Sequence, residues 1–154
     1  MELQKETIEK LHNGEITFGE VLNVTQRQEA ALMSLGYSLY SAGRLEDATK
    51  ILEGMASLDN RIAYVFGLLG AIFQKKQDYA TSIDRYTEAL KLEPNNIYYL
   101  TNRGEILLRE GKFPQAASDL IKAIESDPEE KHPAANRARL LVALTQDAAK
   151  ALKE

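Results

Sequence analysis

The chain has 154 residues, 44% of them hydrophobic, and a formal net charge of -4. That apolar content suffices for one domain with a real core, and the acidic balance argues against nucleic acid, whose phosphates require a basic face. Cys and Trp are absent, which excludes a disulfide framework, a thiolate metal site and a cysteine nucleophile, and suits a reducing cytoplasm.

The first stretch, MELQKETIEKLHNGE, is polar throughout, so no secretory signal is expected there. No apolar run approaches the ~20 residues that span a bilayer. The expectation is a soluble, cytoplasmic protein without membrane insertion. Residues 2–12 carry a helical pattern that Asn13-Gly14 breaks. Thr17 with Glu20 fits a capping box for the short segment TFGEVLNV, and Thr25 with Gln28 fits another, starting a longer helix near Gln26. Residues 1–28 therefore form a helical extension. It could cap the remainder of the chain, pair with a second copy or lie across a groove, and the residues do not choose.

From residue 29 the chain repeats itself. Gly36, Gly70 and Gly104 are spaced by 70−36 = 34 and 104−70 = 34. Leu32, Phe66 and Leu100 stand four places before each glycine, and Leu39, Phe73 and Leu107 three places after. Leu45, Tyr79 and Phe113 come next, then the small residues Ala48, Ser82 and Ala116. Leu52, Tyr86 and Leu120 follow, then Met55, Ala89 and Ala123, and Asn60, Pro94 and Pro128 close the units. The apolar spacing is one face of a 3.6-residue period, so each unit predicts two packed helices. The glycine and the small residue let the two helices approach closely. Gly43 and Gly111 stand where a first helix must stop in the left-handed conformation, a place that Gln77 fills less favourably. Asp78 fits an N-cap, and Pro94 and Pro128 cannot continue a helix.

A helix-turn-helix period of this length and frame resembles the tetratricopeptide repeat. The fold class is then all-α, with three tandem repeats at 29–62, 63–96 and 97–130 forming an α-α superhelix. Residues 131–154 close it: from Arg137, RARLLVALTQDAAKALKE sets Ala138, Leu141, Val142, Ala148, Ala149 and Leu152 on one stripe of a capping helix.

Little in the sequence points to chemistry. His12 beside a helix break and His132 in DPEEKHP are expected in solvent, and no pair has metal-ligand spacing. The glycines fall one per repeat and form no phosphate loop. Asn23-Val24-Thr25 matches a glycosylation sequon that, without a signal peptide, reads as coincidence. No catalytic residue, metal or cofactor is expected, and an enzyme is not.

The repeat resemblance implies a concave peptide-binding face at the second, fifth, ninth and twelfth position of each unit. These are Ala30, Met33, Tyr37 and Tyr40; then Tyr64, Gly67, Ala71 and Gln74; then Tyr98, Thr101, Glu105 and Leu108. Four tyrosines supply stiff apolar area with a polar tip, and Met33 adds a flexible apolar surface. Repeat proteins that grip acidic chaperone tails carry Lys and Asn where this chain has Met33 and Tyr37, so a carboxylate clamp is disfavoured and an apolar extended peptide preferred.

Tyr37-x-x-Tyr40-x-x-Gly43-Arg44, Glu46-Asp47-Ala48, Leu58-Asp59, Leu69-Gly70-Ala71 with Gln74, and Tyr79 with Ile83 and Tyr86 go further. With the weaker Gly104-Glu105-Ile106 and Gly111, they are similar to the class II translocator chaperones of bacterial type III secretion, the LcrH/SycD-type family. That resemblance implies side-chain pockets at Met33, Tyr37 and Tyr40 for an extended segment of an apolar translocator. The client would stay soluble and export-competent, and a homodimer through the N-terminal helix is expected. The alternative is a general repeat scaffold or adaptor in another bacterial complex.

Overall fold

The computed structural model describes residues 2–151, with side chains over 5–146. Its helices are α1 (Glu2–His12), α2 (Phe18–Val21), α3 (Gln26–Ser41), α4 (Leu45–Leu58), α5 (Ala63–Lys75), α6 (Tyr79–Leu92), α7 (Ile97–Arg109), α8 (Phe113–Glu125) and α9 (Pro133–Ala151). Among the described residues there is no strand. Helices α3/α4, α5/α6 and α7/α8 pair as hairpins, each pair packs on the next, and α9 closes the row against α7 and α8. The result is an all-α superhelix of three repeats with an N-terminal extension and a closing helix.

The glycines explain how close the hairpins are. A Cβ on Gly36 would come within 2.8 Å of Leu52, one on Gly70 within 2.8 Å of the Tyr86 ring, and one on Gly104 within 2.9 Å of Leu120. Each first helix thus rests directly on the large core residue of its partner. The Ser82 hydroxyl, fully buried, donates to the Gly70 carbonyl at 2.7 Å, so the small residue of α6 also ties the pair together. Two apolar clusters run along the row. One joins Ala48, Leu52 and Met55 to Val65, Leu69 and Ile72, and the other joins Leu90, Leu100, Leu120 and Ala123 to Ala138. Arg103 makes a two-pronged ion pair with Asp119, both prongs 2.7 Å, and donates to the Thr87 hydroxyl, linking α6, α7 and α8. Phe113 differs from its counterparts: Leu45 and Tyr79 are half-buried, but Phe113 is exposed.

The turns within hairpins share one geometry. Gly43, Gln77 and Gly111 have φ of 75°, 61° and 71°. At each, that residue's N–H and the next one's return to the last turn of the helix, as in Gly43 N–H to Tyr40 O and Arg44 N–H to Leu39 O. This is the Schellman closure.

Both expected capping boxes are present, at Thr17/Glu20 and Thr25/Gln28, and the Asp78 side chain accepts from the Thr81 N–H. The extension does not cross the groove. It lies against the end of α4, where a Cβ on Gly19 would stand 3.3 Å from the Leu58 carbonyl and Arg61 pairs with Glu20 at 3.0 Å. The closing helix begins four residues before Arg137, at Pro133. Ala138 lies 34 residues after Gly104 and is fully buried, while Leu141 and Val142 pack on the second cluster. The side chains of Ala148, Ala149 and Leu152 lie outside the described residues.

Candidate functional site

The first helices of the pairs enclose an open cleft of about 470 Å³, lined from α3 to α9. Its polar members form a chain of hydrogen bonds. Arg137 donates to the Asn102 carbonyl oxygen, the Asn102 amide donates to the Tyr86 hydroxyl at 3.0 Å, and that hydroxyl meets Gln74 Oε1 at 3.2 Å. The Tyr86 ring is buried against Gly70, its hydroxyl lies beneath Gln74 and Asn102, and burial pushes that group well above the ordinary phenol range. Lys75 stands over the Tyr40 ring with Nζ 4.0 Å from its centroid. Arg109 lies over Tyr79 and donates to its hydroxyl at 3.1 Å. Glu105 reaches Arg137 at 3.5 Å.

An aromatic group adjoins this polar site. Tyr37 and Tyr40 have ring centroids 6.4 Å apart. Tyr64 comes close enough that burial, and then the charges Tyr37 and Tyr40 would carry, raise its phenol value. Tyr37 and Tyr64 are 52% and 43% exposed, so with Tyr40 they put aromatic surface beside the cleft.

Of the twelve expected positions, Tyr40, Ala71, Gln74 and Glu105 line the cleft. Tyr37 and Tyr64 belong to the adjoining aromatic group. Met33 is half-buried against the first apolar cluster and Leu108 against the second. Ala30 and Tyr98 are exposed toward the starts of α3 and α7, outside the cleft lining. Gly67 offers no surface, since it is buried and a Cβ there would meet the Tyr99 ring at 2.3 Å. Thr101 is also fully buried, its hydroxyl donating to the Ala134 carbonyl at 3.1 Å.

His132 was expected in solvent and is instead half-buried. Its ring meets Tyr98 edge-on at 4.6 Å, and its Nδ1 accepts from the Ala134 N–H at 3.2 Å, capping α9. The residues the spacing rule missed include Tyr79, Tyr86 and Asn102 and three cations: Lys75 and Arg109, one place beyond the twelfth position in units 63–96 and 97–130, and Arg137 on the closing helix. The 34-residue spacing of Lys75 and Arg109 was a readable signal for those two. Among the described residues no group of three His, Cys, Asp or Glu side chains converges as a metal site, and no helix is long and apolar enough to cross a membrane.

The tetratricopeptide repeat model matches residues 68–131 and again 101–154, together more than half the chain, and the chain belongs to that family. Over 56 residues it is 38% identical to Hsp70-Hsp90 organizing protein 3 of Arabidopsis thaliana, covering 36% of this chain and 10% of that one. Low calcium response locus protein H of Yersinia pestis is 30% identical over 94 residues, 61% of this chain and 56% of the relative. The chain therefore spans about a tenth of the first curated relative's length and about half of the second's. Among solved structures it is similar to the type III secretion chaperone SycD of Yersinia enterocolitica in complex with a peptide of the translocator YopD. That match has a TM-score of 0.72 and 26% identity, and covers 85% of this chain and 98% of SycD.

Proposed function

We propose that this chain is a cytoplasmic chaperone for a type III secretion translocator, holding an extended segment of the client in its cleft. The work is binding alone, with membrane-seeking stretches of the client masked until export. The observation that carries this reading is the open cleft beside exposed Tyr37 and Tyr64, on a fold similar to one solved with a translocator peptide. Homodimerisation through α1 belongs to the same reading, supported by Ile8, which is exposed on that helix. Co-expression with a translocator from the same genome is the direct test. The client is expected in the soluble fraction only when this chain is present, and equal solubility without it would remove the reading.

A second reading, a general repeat adaptor, draws on the short match to the plant organizing protein. It predicts capture of a partner with no secretion link in a pull-down from the native host.

A further inference from the structure

The charge of the cleft is opposite to that of the chain. Three cations line it, Lys75, Arg109 and Arg137, against one acid, Glu105, while the whole sequence carries -4. Glu105 is already engaged by Arg137. Among the described residues, the ion pairs leave Lys75 and Arg109 with no carboxylate partner. Both cations rest on tyrosine rings instead.

The hydrogen bonds point the same way. Donation runs in one direction, from Arg137 to Asn102, from Asn102 to Tyr86 and from Tyr86 to Gln74 Oε1. The relay engages the side-chain oxygens of Asn102 and Gln74, and Gln74, whose amide also carries two N–H donors, lines the cleft beside Lys75. A guest therefore meets donors and cations, a surrounding matched to an anionic acceptor.

We infer that the cleft selects an acidic side chain, Asp or Glu, within the extended segment it binds, seating that carboxylate between Lys75, Arg109 and the Gln74 amide. Neighbouring apolar residues of the segment then fall on Tyr40 and the exposed tyrosines. The inference rests on the peptide-binding reading above and adds its charge specificity.

The test uses short, fluorescein-labelled peptides of Val, Leu, Ser and Pro, N-acetylated and C-amidated, that differ at one central position as Glu, Gln or Lys. In anisotropy titrations, the Glu peptide is expected to bind about tenfold tighter than its Gln isostere, the scale of one charge-assisted contact. The preference should shrink with added salt and disappear in the Lys75→Gln/Arg109→Gln double variant, its folding followed by circular dichroism. Glu105→Gln should enlarge it by freeing Arg137. Equal affinity for Glu and Gln peptides in the unaltered protein overturns this inference and leaves the peptide-binding reading standing. A preference seen only when the C-terminus is left free overturns the side-chain assignment. Absence of binding by every peptide counts against both.

Discussion

At the residue scale, Gln77 and Tyr40 show what a single side chain contributes. Gln77 takes the left-handed conformation that Gly43 and Gly111 supply in the equivalent turns, and a residue with a Cβ is disfavoured there. Gln77→Gly is expected to stabilise the fold by about 0.5–1 kcal/mol, measured by urea denaturation. Tyr40 has one side packed on the first apolar cluster and the other under Lys75. Tyr40→Ala should weaken peptide binding by about 1–3 kcal/mol, the range of an aromatic anchor, by removing both the ring and the seat of the cation. An unchanged affinity in titration would place the guest elsewhere.

At the element scale, the close approach within each hairpin depends on its glycine. Gly70→Ala would force its Cβ against the buried Tyr86 ring, which has no room to rotate away. Overpacking of this kind costs about 1–3 kcal/mol, and here the displaced ring carries the hydroxyl that joins Gln74 and Asn102. We expect the variant to lose both melting temperature and cleft affinity, whereas Gly36→Ala, facing the flexible end of Leu52, should lose less of either. The hairpins were legible because the same steric demand recurs at a fixed interval. Caps were legible too, since Thr25/Gln28 and Asp78 act on their own neighbours. The cleft was only partly so. Tyr86 occupies a core position of α6, fully buried against Gly70, and its hydroxyl joins the cleft residues Gln74 and Asn102 by contacts that periodicity does not encode. Thr101 was read as facing inward, yet α9 packs over it through Ala134, a long-range contact that no periodicity encodes.

At the scale of the whole molecule, both flanking elements are fastened by carboxylates. Glu20 is held below its ordinary value by the Thr17 N–H and then by Arg61. Burial raises Asp59, but the hydrogen bonds of Arg61 outweigh it and leave the group lowered. At the other end burial likewise raises Asp127, and Arg139 with the His132 and Lys131 N–H groups brings it below its ordinary value. A depressed carboxylate contributes stability that is complete above its unfolded value and fades as pH falls through the folded one. The extension and the start of α9 should therefore loosen below about pH 4, before the apolar hairpins melt. Hydrogen exchange followed by mass spectrometry across that range checks this, and simultaneous loss over the whole chain would contradict it. Where the extension docks was not legible in the sequence, since Arg61 meets Glu20 across 41 positions and Gly19 approaches backbone rather than a side chain.

Arg137 belongs to α9 yet reaches Asn102 and Glu105 in the cleft, so the last helix is both lid of the core and wall of the site. Occupancy of the site and docking of the start of α9 are then thermodynamically linked: a guest held through Arg137 steadies that part of the helix on α7, and its loosening lowers affinity by the same free energy.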